Sequence, residues 1–154
     1  MTTDPMPGPE DCVCLAVRQA ARHVTQFYDQ FLAPAGLRTS QFSVLAKLRR
    51  LGPTTINALA AELVMDRTTL GRNILPLERE GLIAVETSKS DRRSKELRLT
   101  EAGAARLRSA VKGWTEAQAR FVAAFGHKRT PELRALLRAV TATDVGSTSD
   151  HDAN

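Results

Sequence analysis

The chain has 154 residues, of which 42% are hydrophobic and 25% are charged. These are the proportions of a soluble globular protein, and no apolar run reaches the roughly 20 residues that a membrane-spanning helix needs. The net charge is +5, which fits a polyanionic partner. Residues 1–9 are polar and lack the basic and apolar regions of a signal peptide, so we expect a cytoplasmic protein.

The first half of the chain predicts two helices. Apolar residues spaced by three and four predict a helix from about Glu10 to Leu32, which residues 33–36 (Ala-Pro-Ala-Gly) end. Thr39 or Ser40 is the expected cap of a second helix, which stops at Gly52 and Pro53.

Two shorter helices follow. Thr54 or Thr55 is expected to cap the third helix, and residues 64–65 form a turn. Asp66 is the expected cap of a fourth helix, and Gly81 ends it. Pro76 lies inside this helix and should bend it, because proline cannot donate a backbone hydrogen bond.

A β-hairpin comes next. Leu82–Glu86 and Glu96–Leu99 are predicted strands, joined by a polar, strongly charged and poorly packed tip over Thr87–Lys95. Thr100 then caps a long helix, Glu101–Phe125.

The last predicted helix begins at residues 130–132 (Thr-Pro-Glu), with proline at its first position, and runs to about Thr143. The tail Asp144–Asn154 is expected to be disordered. The order of elements predicts a mainly α fold in which a small β-hairpin wing follows a helix-turn-helix.

The fourth helix has the features of a DNA-reading helix. Its predicted packing face is Leu70, Ile74, Leu75 and Leu77. The outer face of its N-terminal half then carries side chains suited to base edges and phosphates, namely Arg67, Thr68, Thr69, Arg72 and Asn73.

The hairpin tip strengthens this prediction. It contains Lys89, Arg92, Arg93 and Lys95 with a single acid, Asp91. Folding does not require a cationic tip, whereas a phosphate backbone or a narrow minor groove would use one. A helical interaction module whose wing binds an acidic protein is the alternative.

The segment from Ala58 to Gly103 resembles the DNA-binding core of the MarR family. The resemblance rests on LAAELVMDRTTLGRNILPLEREGLI, on Asp91-Arg92-Arg93 in the wing, and on the helix start at residues 99–103 (LTEAG). It implies a homodimer that binds a pseudo-palindromic DNA operator near its own promoter. It also implies that Arg93, braced by Asp91, enters the minor groove.

The implied organisation is a single domain over residues 10–143. The winged core occupies about 53–100, and dimerisation helices occupy about 10–33 and 101–143. The residues also favour a dimer, because the terminal helices carry more apolar surface than a small monomer buries easily: Val13, Val17, Leu133, Leu136, Leu137 and Val140.

Two signals compete for the regulator. In one, a small aromatic or acyl acid binds between the dimerisation helices and the winged core, as is common in the family. Arg18, Arg22 and His23 are the candidates to meet its carboxylate, and Tyr28, Phe42 and Trp114 are the candidates to form an apolar wall.

In the other reading, Cys14 is a redox sensor. Cys14 and Tyr28 resemble a reactive cysteine and its hydrogen-bonding tyrosine in the organic-hydroperoxide-sensing branch of the family. A second tyrosine is expected before the second helix, where this chain has Thr39. We expect Cys12 and Cys14 not to form a disulfide, because two residues so spaced on a helix point in different directions.

Other chemistry finds little support in the sequence. Cys12, Cys14, His23 and His127 supply ligand types for a metal sensor, but their spacing does not resemble a zinc site. We find no nucleophile–base pair and no glycine loop that would cradle a phosphate. The sequence therefore predicts a regulator that is not an enzyme and needs no cofactor or metal.

Overall fold

The computed structural model describes Met6 and residues 8–146. The helices and strands of these residues are, in chain order, α1 (Val13–Leu32), α2 (Thr39–Leu51), β1 (Thr54–Thr55), α3 (Ile56–Glu62), α4 (Arg67–Arg79), β2 (Ile83–Thr87), β3 (Lys95–Leu99), α5 (Glu101–Phe125) and α6 (Arg129–Ala142). Short 3-10 turns at Pro9–Asp11 and Ala33–Ala35 flank α1. The fold is therefore mainly α with a small sheet, as predicted.

The chain separates into two compact units, one reaching to Ala117 and one beginning at Gln118, within α5. The first unit holds the core of α2, α3, α4 and the sheet. Its buried members are leucine, isoleucine, valine and alanine, including Leu32, Val44, Leu45, Leu48, Leu59, Leu70, Ile74, Leu77, Leu82, Ile83 and Leu97. Burial of these side chains is the main stabilising contribution to this unit.

The sheet is antiparallel in the order β1-β3-β2. The predicted hairpin is confirmed, with Ile83 opposite Leu99 and Thr87 opposite Lys95. The third strand, β1, was not predicted: Thr54 pairs with Leu97 in a two-residue ladder. Two polar residues show no alternation, so the sequence carries no strand signal there.

The long helix α5 approaches the rest of its unit closely at two glycines. A Cβ at Gly103 would overlap the carbonyl oxygen of Leu82, and a Cβ at Gly113 would overlap that of Phe31. Thr100 caps α5 as predicted, since its hydroxyl accepts from the N–H of Gly103 at 3.0 Å and donates to Gly81 at 2.6 Å. These contacts fix the first part of α5 against α1 and against the residues that precede β2.

The second unit contains the end of α5 and all of α6. Phe121 stacks on Phe125 with ring centroids 5.4 Å apart, and the Arg129 guanidinium lies 4.2 Å from the Phe125 ring. Leu136, Leu137 and Val140 on α6 are 67%, 45% and 53% exposed.

Three predicted helix starts are wrong by a few residues. The first helix begins at Val13 instead of Glu10, because Cys12 is extended and its Sγ accepts from the N–H of Leu15. The second begins at Thr39 itself, so neither Thr39 nor Ser40 is its cap. The last begins at Arg129, which places Pro131 at the third helical position.

Two further expectations concern the ends of the described chain. The predicted disordered tail covers Asp144–Gly146, which has no regular secondary structure, and residues 147–154, which lie outside the described residues. The N-terminal residues 1–5 and 7 lie outside them too. Within the described part of the chain, no helix is long and apolar enough to cross a bilayer.

Candidate functional site

The turn between α3 and α4 sets the position of α4. Asp66 caps α4, accepting from the Thr69 N–H at 2.8 Å and from the Thr69 hydroxyl at 2.6 Å. These hydrogen bonds hold the pKa of Asp66 below its ordinary value. Val64 in the turn has φ 51°, a left-handed conformation that a β-branched residue rarely adopts. The turn is therefore tight, and the start of α4 is well defined.

The outer face of α4 carries exposed polar side chains, while Leu70, Ile74 and Leu77 are buried beneath it. Arg67, Thr68, Thr69 and Arg72 are exposed, as the sequence predicted. The prediction that Leu75 packs inward is wrong, because its side chain is 48% exposed.

Two of the predicted DNA-reading residues also serve the structure of α4 itself. The Thr69 hydroxyl donates a hydrogen bond to the Asp66 carboxylate. The Asn73 side chain is half-buried, and its Nδ2 donates to the Thr69 carbonyl at 3.1 Å and lies 3.5 Å from the Met65 sulfur. Arg67, Thr68 and Arg72 are thus more available to a ligand. The helix continues past Pro76 to Arg79 without interruption.

Hydrogen bonds order the wing tip, although most of its side chains are exposed, as expected of a poorly packed tip. Ser88 is buried, and its Oγ accepts from the backbone N–H groups of Ser90 and Asp91, each at 3.3 Å. The Ser88 N–H donates to the Ser94 carbonyl at 2.9 Å and closes the tip. The sequence did not single out Ser88, since a serine in a polar loop gives no signal of burial.

The side chains of the tip cations are not part of this hydrogen-bond network. Lys89, Arg92 and Arg93 are exposed, and none of them takes part in an ion pair within the described residues. At the base of the wing, Arg98 donates to Glu86 at 2.9 Å and lowers the pKa of that carboxyl. The tip therefore carries more positive than negative charge, and its cations are exposed.

A cavity of about 560 Å³ lies in the first unit. Tyr28, Phe42 and Trp114 line it, as predicted for an apolar wall, and Phe42 stacks on Trp114 with centroids 6.1 Å apart. The other lining residues are Val24, Thr25, Thr39, Ser43, Ala46, Lys47, Arg50, Glu62 and Leu63.

The three predicted cations lie outside this cavity. Arg18, Arg22 and His23 are exposed on α1 and do not line it. The cavity is instead lined by Lys47 and Arg50 of α2. These two cations are three residues apart and therefore lie on the same face of the helix.

Both cavity cations are paired with Glu62. The carboxylate Oε2 accepts from Lys47 Nζ at 3.1 Å and from Arg50 Nη2 at 3.4 Å. The hydrogen bond and charge of Lys47 lower the pKa of Glu62, so the carboxyl is ionised at neutral pH.

Thr39 stands where a second tyrosine was expected for a peroxide sensor. Its hydroxyl donates a hydrogen bond to the Asp29 carboxylate, with the two oxygens 2.6 Å apart.

Both cysteines are free and exposed. Cys12 precedes α1 with an extended backbone, so the argument against a disulfide, which placed both residues on a helix, does not apply. Cys14 and Tyr28 are 14 positions apart on α1, which separates their backbones by about 21 Å along the helix axis. The expected Cys14–Tyr28 hydrogen bond therefore cannot form within one chain.

Metal ligands do not gather in the part of the chain that the structure describes. Cys12, Cys14, His23 and His127 belong to no group of three or more residues able to hold an ion there.

The chain is similar to known transcriptional regulators. The profile of the MarR family matches residues 37–95. The Mycobacterium tuberculosis regulator MosR, solved in complex with DNA, is 37% identical with a TM-score of 0.74, over 86% of this chain and 98% of that one. The repressor CouR, solved on a 23-mer DNA duplex, is 28% identical with a TM-score of 0.77, over 86% and 94%.

Curated relatives match shorter stretches. The organic hydroperoxide resistance regulator of Bacillus subtilis is 28% identical over 102 residues, 66% of this chain and 69% of its own length. Uncharacterized HTH-type regulators of the Bacillus cereus group are 35% identical over 86 residues, and the chain spans 56% of their length.

Proposed function

Because this chain belongs to the MarR family of transcriptional regulators, we propose that it is a homodimeric repressor that binds a pseudo-palindromic DNA operator and is released by a small aromatic or acyl acid. The observation that carries the DNA-binding part is the hydrogen-bonded wing tip, whose exposed cations outnumber its single acid, Asp91. An exposed tip with a net positive charge on a fixed scaffold suits a polyanion.

The two DNA-binding elements would have different tasks. Arg67, Thr68 and Arg72 on the exposed face of α4 would reach base edges in the major groove, where arginine can bind guanine through two hydrogen bonds. Thr69 and Asn73 would contribute to the same face while keeping the helix start in place.

The wing would add contacts outside the major groove. Lys89 and Arg92 would contact phosphates, and Arg93 would enter the minor groove. Asp91 would act indirectly, because its carboxylate binds the backbone N–H of Arg93 and shapes the turn that presents this arginine.

Dimerisation would use residues 10–33 and 101–143, which flank the winged core at about 53–100. Val13 and Val17 on α1 are exposed, as are Leu136, Leu137 and Val140 on α6. Leu133, also in the predicted set, is half-buried. A second copy of the chain would remove this apolar surface from water and place two α4 helices about one DNA turn apart, roughly 34 Å.

The cavity supports the choice of a small acid as effector. Its volume falls within the range of about 300–1,000 Å³ typical of small-molecule sites. Tyr28, Phe42 and Trp114 offer aromatic surface to the body of such a molecule, and Lys47 and Arg50 offer positive charge to its carboxylate.

Footprinting on the DNA upstream of the protein's own gene, with and without benzoate, tests this function. We expect a protected palindrome that loses protection as benzoate is added, with affinity that falls steeply as salt rises. Absence of any salt-sensitive, sequence-specific complex would contradict DNA binding and favour the helical interaction module instead.

A peroxide-sensing repressor is the second candidate function. The similarity to the Bacillus subtilis hydroperoxide regulator and the exposure of Cys14 favour it, because an accessible thiol can be oxidised to a sulfenic acid. The separation of Cys14 from Tyr28 argues against it, since a hydrogen bond between them would have to join two subunits.

A further inference from the structure

The charged residues of the cavity form one connected cluster. Glu62 Oε2 lies 3.1 Å from Lys47 Nζ and 3.4 Å from Arg50 Nη2, and all three side chains line the cavity. The remaining lining residues are uncharged. An anion that enters the cavity therefore meets two cations that already share a counterion.

The ion pairs are open enough to be exchanged. The Lys47 and Glu62 side chains are 32% and 38% exposed, and Arg50 is more exposed still. Exposed ion pairs of this kind contribute little net stability, so an incoming carboxylate can replace Glu62 without a large penalty.

The position of Glu62 gives this exchange a mechanical consequence. Glu62 is the last residue of α3, whereas both of its partners lie on α2. The strained turn at Val64 and the cap of α4 at Asp66 follow directly. The ion pairs thus fasten the end of α3 to α2 immediately before the segment that positions α4.

We propose that Glu62 is an internal counterion that an anionic effector displaces from Lys47 and Arg50, and that this displacement links the cavity to the helix-turn-helix. The proposal rests on the proposed acid-responsive function and specifies how the acid is sensed. The effector class is a small organic carboxylate with an apolar or aromatic body. Once its carboxylate binds the two cations, Glu62 faces a second negative charge, which repels the end of α3 from α2.

Binding can be measured through Trp114, the single tryptophan of the chain, which lines the cavity. Benzoate is the probe, and benzamide is the neutral control of nearly the same size. Glu62→Gln keeps the shape of the side chain and removes its charge. We expect this variant to bind benzoate about two- to fivefold more tightly than the wild type, the range expected for losing an exposed competing ion pair, and to leave benzamide binding unchanged.

Two further variants separate the proposal from a general electrostatic effect. Glu86→Gln breaks the Glu86–Arg98 ion pair in the wing, outside the cavity, and should leave benzoate affinity as it is. Lys47→Met should weaken benzoate binding, while Arg49→Met, on the neighbouring exposed arginine of α2 that does not line the cavity, should not.

The coupling is tested by the operator affinity of each protein with and without saturating benzoate. We expect the benzoate-induced loss of affinity to be smaller in Glu62→Gln than in the wild type, because no carboxylate remains to be repelled. If benzoate binds the wild type and releases DNA, but Glu62→Gln matches the wild type in both measurements, the counterion mechanism is overturned and the acid-responsive function stands.

If benzoate leaves the Trp114 fluorescence of the wild type and of Glu62→Gln unchanged, both the effector class and the counterion mechanism are overturned. If benzoate binds only Glu62→Gln, the competition by Glu62 is supported directly. Circular dichroism of each variant confirms that it is folded.

Discussion

The carboxylate of Asp91 accepts a hydrogen bond from the backbone N–H of Arg93, with the two atoms 2.9 Å apart. The bond shapes the wing turn and leaves the Arg93 guanidinium without an ion pair in the described residues. The bracing of Arg93 by Asp91 that the resemblance implies thus acts through the backbone.

Arg93→Ala should weaken operator binding by about tenfold or more, since a hydrogen bond to a charged group contributes roughly 1.5–3 kcal/mol. The loss should be similar for many sequences, and the salt dependence of binding should become shallower by about one unit. Gel shifts over a series of salt concentrations measure both. Arg108→Ala, on an exposed arginine of α5, is the matched control. An unchanged affinity in a folded Arg93→Ala protein would exclude the wing contact.

Arg72→Ala should change the base preference of the protein. The side chain is exposed on α4, and a lost pair of hydrogen bonds to guanine costs about 1–3 kcal/mol at one base pair. Binding to a library of single-base operator variants measures the effect. Asn73→Ala should also alter preference, and it should lower stability too, because Asn73 binds the Thr69 carbonyl. An equal loss across all operator variants would make Arg72 a backbone contact.

Leu136→Glu should convert the dimer to a monomer and abolish operator binding. Leu136 is mostly exposed on α6, so a charge there is costly only if a partner covers it. Sedimentation velocity reports the change. Leu75→Glu places the same charge on an exposed leucine of α4 and should remain dimeric. A dimeric Leu136→Glu protein would place the interface elsewhere.

Gly103→Ala and Gly71→Ala should change stability in opposite directions. A Cβ at Gly103 overlaps the Leu82 carbonyl, and such overpacking costs about 1–3 kcal/mol. Gly71 lies inside α4 with open space around its Cα, so alanine there should add about 1 kcal/mol through helix propensity. Urea denaturation compares the two free energies of unfolding. Equal stability of Gly103→Ala and the wild type would mean that α5 can shift without cost.

Cys14→Ser should leave release by benzoate intact, because Cys14 does not line the cavity. Gel shifts with benzoate and with cumene hydroperoxide, on Cys14→Ser and on the control Cys12→Ser, measure the two responses. A Cys14→Ser protein that ignores both compounds, beside a responsive Cys12→Ser protein, would make this regulator a redox switch.

The sequence by itself determined the features that depend on neighbouring residues. Thr55, Asp66 and Thr100 cap helices as predicted, because a cap needs only a side-chain oxygen and a backbone N–H a few residues ahead. The hairpin and the exposed cations of its tip follow from the same local rules.

The tertiary structure decided what depends on residues far apart in the chain. Thr39 is the first residue of α2 and not its cap, and its hydroxyl donates a hydrogen bond to Asp29. Leu75 is exposed, although an apolar residue in that position suggested burial. The pairing of Lys47 with Glu62 joins α2 to α3 through two residues that are 15 positions apart in the sequence. Such contacts depend on how the helices pack, so the sequence could suggest aromatic residues that line the cavity but not the cations beside them.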